Sequence, residues 1–312
     1  MAGIFRTLVI AGALALSLAT AAAAAPLKVV ASFSILGDMV TQIGGDLVAV
    51  RTLVGPDGDA HVYQPTPGDA QAVAGAGLVV VNGLGFEGWL NRLIGAAGYR
   101  GRVITATSGV TAQTMVEDDE ESGITRPGRK VVTPKRIEDP HAWQDLRNGV
   151  IYVRNIAEGL AAADPANAAT YRARAQAYAD ELKKLDAWVR DTIEPVPADR
   201  RKVITGHDAF GYFANAYGVM FIAPVGISTE AEPTAADVAR LIRQIRQEHI
   251  RALFVENMTD PRLIEQIGRE TGAEPGGTLY ADALSGPSGP APTYVAMFRH
   301  NATLLSAAMR RN

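Results

Sequence analysis

Apolar residues along this chain fall into two series, each alternating short runs of β-branched and aliphatic side chains with amphipathic stretches. In the first series, residues 27–32 form an apolar strand candidate, 35–43 carry a helical pattern, and 48–54 give a second strand candidate. Thr66-Pro67-Gly-Asp69 then offers a helix N-cap, a proline at the first helical position and an acid in the first turn. Residues 78–81 read as a buried strand, 87–96 as a helix and 102–105 as a further strand. The second series runs strand 202–205, helix 209–216, strand 220–224, helix 234–248, strand 252–256, helix 261–271, strand 278–281 and a closing helix over 293–310. Strands this apolar, separated by helices, predict parallel sheets covered on both faces.

Between the series lies one long helical pattern, starting near Pro165 and running from 166 to about 193, where Pro195 and Pro197 stop it. At 1.5 Å per residue it spans roughly 40 Å, the length of a domain. The expected fold is therefore α/β, with two parallel-sheet lobes joined by a single long rigid helix. The expected units are 1–25 as a signal peptide, 26–164 as the N-terminal lobe, 165–194 as the linking helix and 195–312 as the C-terminal lobe. A stiff connection predicts loop ordering or small lobe shifts on ligand binding, not wide hinge closure.

The N-terminal 25 residues read as a secretory signal: Arg6, an apolar core over 8–19, and small residues over 21–25 before Pro26. The apolar part is short for a membrane helix. Cysteine is absent, which excludes disulfides, thiolate metal sites, cysteine nucleophiles and a lipid on an N-terminal cysteine. A soluble periplasmic protein is expected. The net charge of −3 includes Arg6, so removal of residues 1–25 leaves −4, and no basic patch argues for nucleic acid.

Only five histidines are present, and three sit in polar, turn-rich segments. These are Gly-Asp-Ala-His61-Val-Tyr-Gln-Pro, Glu-Asp-Pro-His141-Ala-Trp and Ile-Thr-Gly-His207-Asp-Ala-Phe. A fourth segment, Leu-Tyr-Ala-Asp282-Ala-Leu, ends a strand candidate in a carboxylate. Three imidazoles and a carboxylate can close a tetrahedron around a divalent transition metal, zinc first among them. Open α/β sheets bind ligands beyond the carboxyl ends of their strands, where these segments fall. Spacing alone does not bring them together. His249, at a helix end, and His300, in the last helix, read as structural or surface residues. Glu138, Asp139 and Asp208 flank the candidate ligands; they can orient imidazoles, although a surface role suits at least one of them.

Taken together, these segments resemble the metal-binding solute receptors of zinc and manganese ABC importers. The resemblance runs over nearly the whole chain after residue 25. It rests most on His61-Val-Tyr-Gln-Pro-Thr-Pro-Gly-Asp, Asp139-Pro-His141-Ala-Trp, Gly206-His207-Asp-Ala-Phe-Gly-Tyr-Phe and Leu279-Tyr-Ala-Asp282-Ala-Leu-Ser. It implies that His61, His141, His207 and Asp282 are the metal ligands, in a cleft between the lobes. It also implies an ABC permease as partner, a periplasmic metallochaperone as a further candidate partner, and a monomer. The segment Ala-Leu-Ser-Gly-Pro-Ser-Gly-Pro-Ala-Pro-Thr-Tyr (283–294) is most similar to AztC-type zinc receptors. Manganese receptors of this kind usually carry glutamate at the third ligand position. His207 there favours Zn²⁺ as the transported ligand, with Mn²⁺ as the alternative.

Two features depart from, or compete with, that reading. Zinc receptors often have a histidine-rich insertion between the first two ligand segments; here the loop is Glu117-Asp-Asp-Glu-Glu121 and then Thr125-Arg-Pro-Gly-Arg-Lys130. It reads as a solvated charge block, with metal collection or chaperone docking as the functional alternative. Gly83-Leu-Gly85-Phe-Glu-Gly88 matches a dinucleotide fingerprint, yet it follows a later strand and no acid stands about 20 residues on. A zinc-dependent hydrolase, with Glu256 as its base, is the alternative from another class. Four protein ligands would close the metal against water, and no compact hydrolase motif is present.

Overall fold

The computed structural model describes residues 25–116, 136–230 and 233–312; the expected signal segment up to residue 24 and the acidic loop 117–130 lie outside them. The N-terminal lobe comprises β1 (Leu27–Phe33), α1 (Ser34–Gly44), β2 (Val48–Val54), α2 (Pro67–Ala74), β3 (Leu78–Val81), α3 (Leu90–Ala96) and β4 (Arg102–Thr105). A hairpin follows, β5 (Thr114–Val116) with β6 (Arg136–Glu138), then α4 (Leu146–Ala163) and the long α5 (Ala168–Ile193). The C-terminal lobe runs β7 (Lys202–Ile204), α6 (Gly211–Tyr217), β8 (Met220–Ile222), α7 (Ala235–Glu248), β9 (Leu253–Glu256), α8 (Arg262–Thr271), β10 (Pro275–Leu279) and α9 (Tyr294–Met309).

Both four-stranded sheets are parallel throughout. Their orders are β2-β1-β3-β4 and β8-β7-β9-β10, so the two lobes repeat one topology. The chain reverses its winding direction beside the first strand of each, which opens a crevice at the strands' carboxyl ends. The buried run Leu78–Val81 shows why the strands form: all four residues are interior, covered on both faces.

The expected two-lobed α/β fold is present, with local corrections at element ends. The first helix after β3 starts at Leu90 and not at 87, because Glu87 turns back to accept the backbone N–H groups of Asn82 and Gly83. The last strand occupies Pro275–Leu279, ahead of the expected 278–281. Its two glycines read as loop, yet a Cβ at Gly276 would lie 2.9 Å from the ring of Phe254, so bare backbone is what lets the strand close on that ring. The three-residue strands of the hairpin had no alternating pattern long enough to announce them.

Helix α5 is more than a connecting strut. Its buried stripe, from Tyr171 through Leu182 and Leu185 to Ile193, packs along α4 and also against α1 and α9. One continuous apolar core therefore includes Val29 and Leu78 of the first lobe, Leu182 of α5, and Phe213, Phe254 and Leu305 beyond it. A second, smaller cluster (Ile204, Leu241, Ile245, Leu253, Ile267) lies between the C-terminal sheet and the α7–α8 layer.

Candidate metal centre

Each ligand-bearing loop is held by hydrogen bonds, some local and some from distant segments. Thr66 caps α2 in a reciprocal capping box with Asp69, whose carboxylate also accepts from Tyr63 at 2.7 Å and from Arg51 at 3.0 Å. Burial opposes charge on Asp69, but these donors outweigh it and lower its pKa to about 2. Trp89 Nε1 donates to the carbonyl of Ala60 at 2.8 Å, fixing the residue before His61. Asn82 does the same for the next ligand, donating through Nδ2 to the carbonyl of Pro140 at 2.9 Å. On the C-terminal side, the β7–β8 pairing extends as a single bridge from His207 to Val225. Trp143 Nε1 and Gln144 Nε2 reach across from the first lobe to the carbonyl of Ala281, at 2.9 and 2.8 Å, just before Asp282.

These anchors bring His61, His141, His207 and Asp282 together, with one donor atom from each lying within 4.8 Å of all the others. All four are buried, from 0% exposure for His141 and Asp282 to 8% for His61. Nε2 of His61 is 3.3 Å from Nε2 of His141 and 3.2 Å from Oδ2 of Asp282. Nε2 of His207 is 3.1 Å from Oδ2 of Asp282, and Nε2 of His141 is 3.6 Å from Oδ1. A tetrahedron with arms of about 2.05 Å has edges of about 3.3 Å, which the three shortest separations match, while the four donors together span up to 4.8 Å. Among the described residues, the buried Oδ1 of Asp282 accepts no hydrogen bond, which leaves it able to take a cation.

Rings close the back of the cluster. Phe86 stands edge-on to His61 at 4.8 Å between centroids, and Trp143 lies 5.3 Å from His141. Phe33 joins both behind them. Dry aromatic walls strengthen every charge interaction inside. Burial works against charge on His141, yet Asp282 and Asp139 outweigh it and push its pKa up to about 9. Burial likewise opposes charge on His207, and Glu256 and Asp282 raise it well above the ordinary histidine value. Burial would raise Asp282, but His141 and His207 hold it well below the carboxylate range.

Of the three flanking acids, only Asp139 touches a ring: its Oδ1 lies 2.7 Å from Nδ1 of His141, so the ring offers Nε2 to the cluster. Glu138 is exposed on β6, while Asp208 is partly buried, with its N–H on the carbonyl of Gly226. His249 is exposed at the end of α7 in a left-handed conformation, and His300 bonds the carbonyl of Thr278 at 2.9 Å, so both stand outside the cluster. Asn82, Phe86 and Gln144 escaped the sequence reading, since nothing in their local pattern marks a role set by tertiary contact. The glycine loop after β3 is no phosphate cradle. Glu87 occupies the backbone N–H groups of Asn82 and Gly83, and Gly83, at φ +90°, leaves room for Thr105 and Thr107, which a Cβ would strike.

The family model for ZnuA, zinc-uptake complex component A, periplasmic, matches residues 29–308. The chain belongs to this family. The iron-binding protein YfeA of Yersinia pestis is 35% identical over 271 residues, 86% of this chain and 82% of that protein. The manganese-binding lipoprotein MntA of Halalkalibacterium halodurans is 32% identical over 275 residues, covering 88% and 86%. Among solved structures, the periplasmic zinc-binding protein TroA of Treponema pallidum aligns with a TM-score of 0.81 at 29% identity, over 92% of this chain and all of that one. ZnuA-family members are metal-binding receptors of ABC importers and not enzymes. The carboxylate nominated as a hydrolytic base, Glu256, lies behind His207 and is engaged there.

Proposed function

We propose that this protein captures Zn²⁺ in the periplasm and presents it to the permease of an ABC importer, with His61, His141, His207 and Asp282 as the four ligands. The observation that carries the reading is the donor set: three imidazole nitrogens and one carboxylate at separations close to a tetrahedral edge. The named relatives bind iron, manganese and zinc, so the choice of metal rests on the donors. Imidazole suits zinc, and zinc outranks manganese and iron(II) in intrinsic affinity. The metal sits between units 26–164 and 195–312, bridged by 165–194. The protein works as a monomer released by cleavage of the signal over 1–25.

The test is a competitive titration of chelator-stripped protein with Zn²⁺, Mn²⁺ and Fe²⁺. One-to-one binding with zinc tightest, and a large loss in His207→Ala, is expected. Preference for manganese or iron(II) would overturn the zinc assignment and leave a receptor for another divalent metal.

A further inference from the structure

Glu256 is the last residue of β9 and 2% exposed, the C-terminal lobe's buried carboxylate behind the cluster. Its Oε1 accepts the backbone N–H groups of Gly206 and His207 at 2.6 and 3.0 Å. The approach depends on Gly206, where a Cβ would stand 3.1 Å from that oxygen. Its Oε2 lies 2.5 Å from Nδ1 of His207, a close polar contact between two buried atoms. Among the described residues, no other donor reaches that oxygen. The opposite ring nitrogen, Nε2, faces Oδ2 of Asp282 at 3.1 Å.

We propose that Glu256 is a positioning residue for His207, fixing the ring so that Nδ1 keeps its hydrogen and the Nε2 lone pair points at the metal. A carboxylate oxygen beside Nδ1 favours the ring form that carries its hydrogen there, which leaves the Nε2 lone pair for the metal. The same carboxylate holds the backbone of the ligand residue through Oε1, so ring and main chain are set by one group. Orientation of a metal-binding imidazole by a partner on its far nitrogen is a general device. Here the partner comes from a different strand, 49 residues along the chain. The inference rests on the reading of the four-residue cluster as a metal site.

Glu256→Gln separates positioning from bulk. Its amide oxygen can still accept from Gly206 and His207, but the amide NH₂ then faces Nδ1 and donates to it. The ring hydrogen is driven to Nε2, where the metal must bind. The variant should bind Zn²⁺ about 10–100-fold more weakly than the parent. Its preference for Zn²⁺ over Mn²⁺ should narrow, because a well-oriented imidazole is worth more to zinc. Nitrogen-15 spectra of the zinc-loaded proteins should show His207 with hydrogen on Nδ1 and metal on Nε2 in the parent, and should lose that pattern in the variant. Unchanged zinc affinity and an unchanged tautomer, with only a lower melting temperature, would overturn the proposal. Should the variant fail to fold, the same spectra of the zinc-loaded parent decide: coordination through Nε2 with hydrogen on Nδ1 supports it, and coordination through Nδ1 refutes it. If added Zn²⁺ leaves all three cluster histidines unshifted in the parent, the metal-site reading falls and takes this one with it. A shifted cluster that ignores Glu256→Gln overturns the positioning role alone.

Discussion

The two lobes share a strand order and differ in what they do with it. In each, the segment leaving the third strand sends a buried carboxylate toward the end of the first. Glu87 reaches Ser32 at the end of β1, and Glu256 reaches Gly206 and His207 after β7. In the N-terminal lobe that carboxylate is spent on a hydroxyl and two backbone N–H groups, and the ligands ride on longer loops with anchors of their own. In the C-terminal lobe it stands directly behind a ligand. The lobes also differ in how they are packed. The N-terminal lobe lies wholly within the core shared with α5, whereas the α7–α8 layer keeps a cluster to itself and lines a cavity of about 1020 Å³ whose wall includes His207 and Asp59. One topology thus yields a firmly packed half and a half with a separable outer layer, and the metal cluster joins them.

The largest effect that can break this comparison is loss of a ligand from either side. His61→Ala and His207→Ala should each weaken zinc binding by more than about 100-fold, beyond what a supporting residue contributes. Competition with a chromophoric chelator measures both; a site indifferent to one of them would belong to a single lobe. Next come the two cores. Leu182→Ala in α5 and Ile267→Ala in α8 each remove a fully buried side chain, at a cost of about 2–5 kcal/mol. The first should lower the melting temperature of the whole molecule. The second should speed hydrogen exchange in α7 and α8 while leaving α1 and β1 protected, and uniform acceleration would refute a separate layer.

A smaller effect is expected for Asp139, the carboxylate that touches a cluster histidine in the N-terminal lobe. Asp139→Asn places an amide donor near Nδ1 of His141 and should weaken zinc binding about 10-fold, the lower end for such partners. The smallest test is pH. The folded-state pKa of His141 is raised from 6.5 to about 9, so its contribution to metal-free stability is complete below pH 6.5 and is lost as pH rises through 9. Zinc holds the rings neutral, so the loaded protein should show no such loss, and zinc affinity should climb across the same window as fewer protons must be displaced. Parallel melting curves at pH 6 and 9, with and without zinc, check both signs.

Much of this was legible in the residues themselves. Apolar runs such as Leu78–Val81 and the Thr66-Pro67 cap announced their elements because the signal was local. The three histidines of the cluster stood out because only five were available to sort, and Asp282 because it ends a strand candidate. Their supports were less visible. Glu256 could be singled out as an acid at a strand end, but its task depends on Gly206 lying beside it from another strand. Asn82 holds the carbonyl of Pro140 from 58 residues away, and Phe86 walls His61 from a different loop; neither relation leaves a periodic trace. Element ends at Leu90 and Pro275 moved for the same reason, since a tertiary hydrogen bond or a neighbouring ring decided them.

The core that runs through α5 into both lobes also has a bearing on how a transporter can tell a loaded receptor from an empty one. Wide opening of the cleft would have to tear that core, and backbone bonds such as Asp57 N–H to the carbonyl of Leu284 close the seam from the front. In small-angle scattering, empty and loaded forms should therefore give superimposable profiles and one radius of gyration. The signal offered to a membrane partner is then textural and local, in the set and stiffness of the loops around His61 and His207, and not in the outline of the molecule.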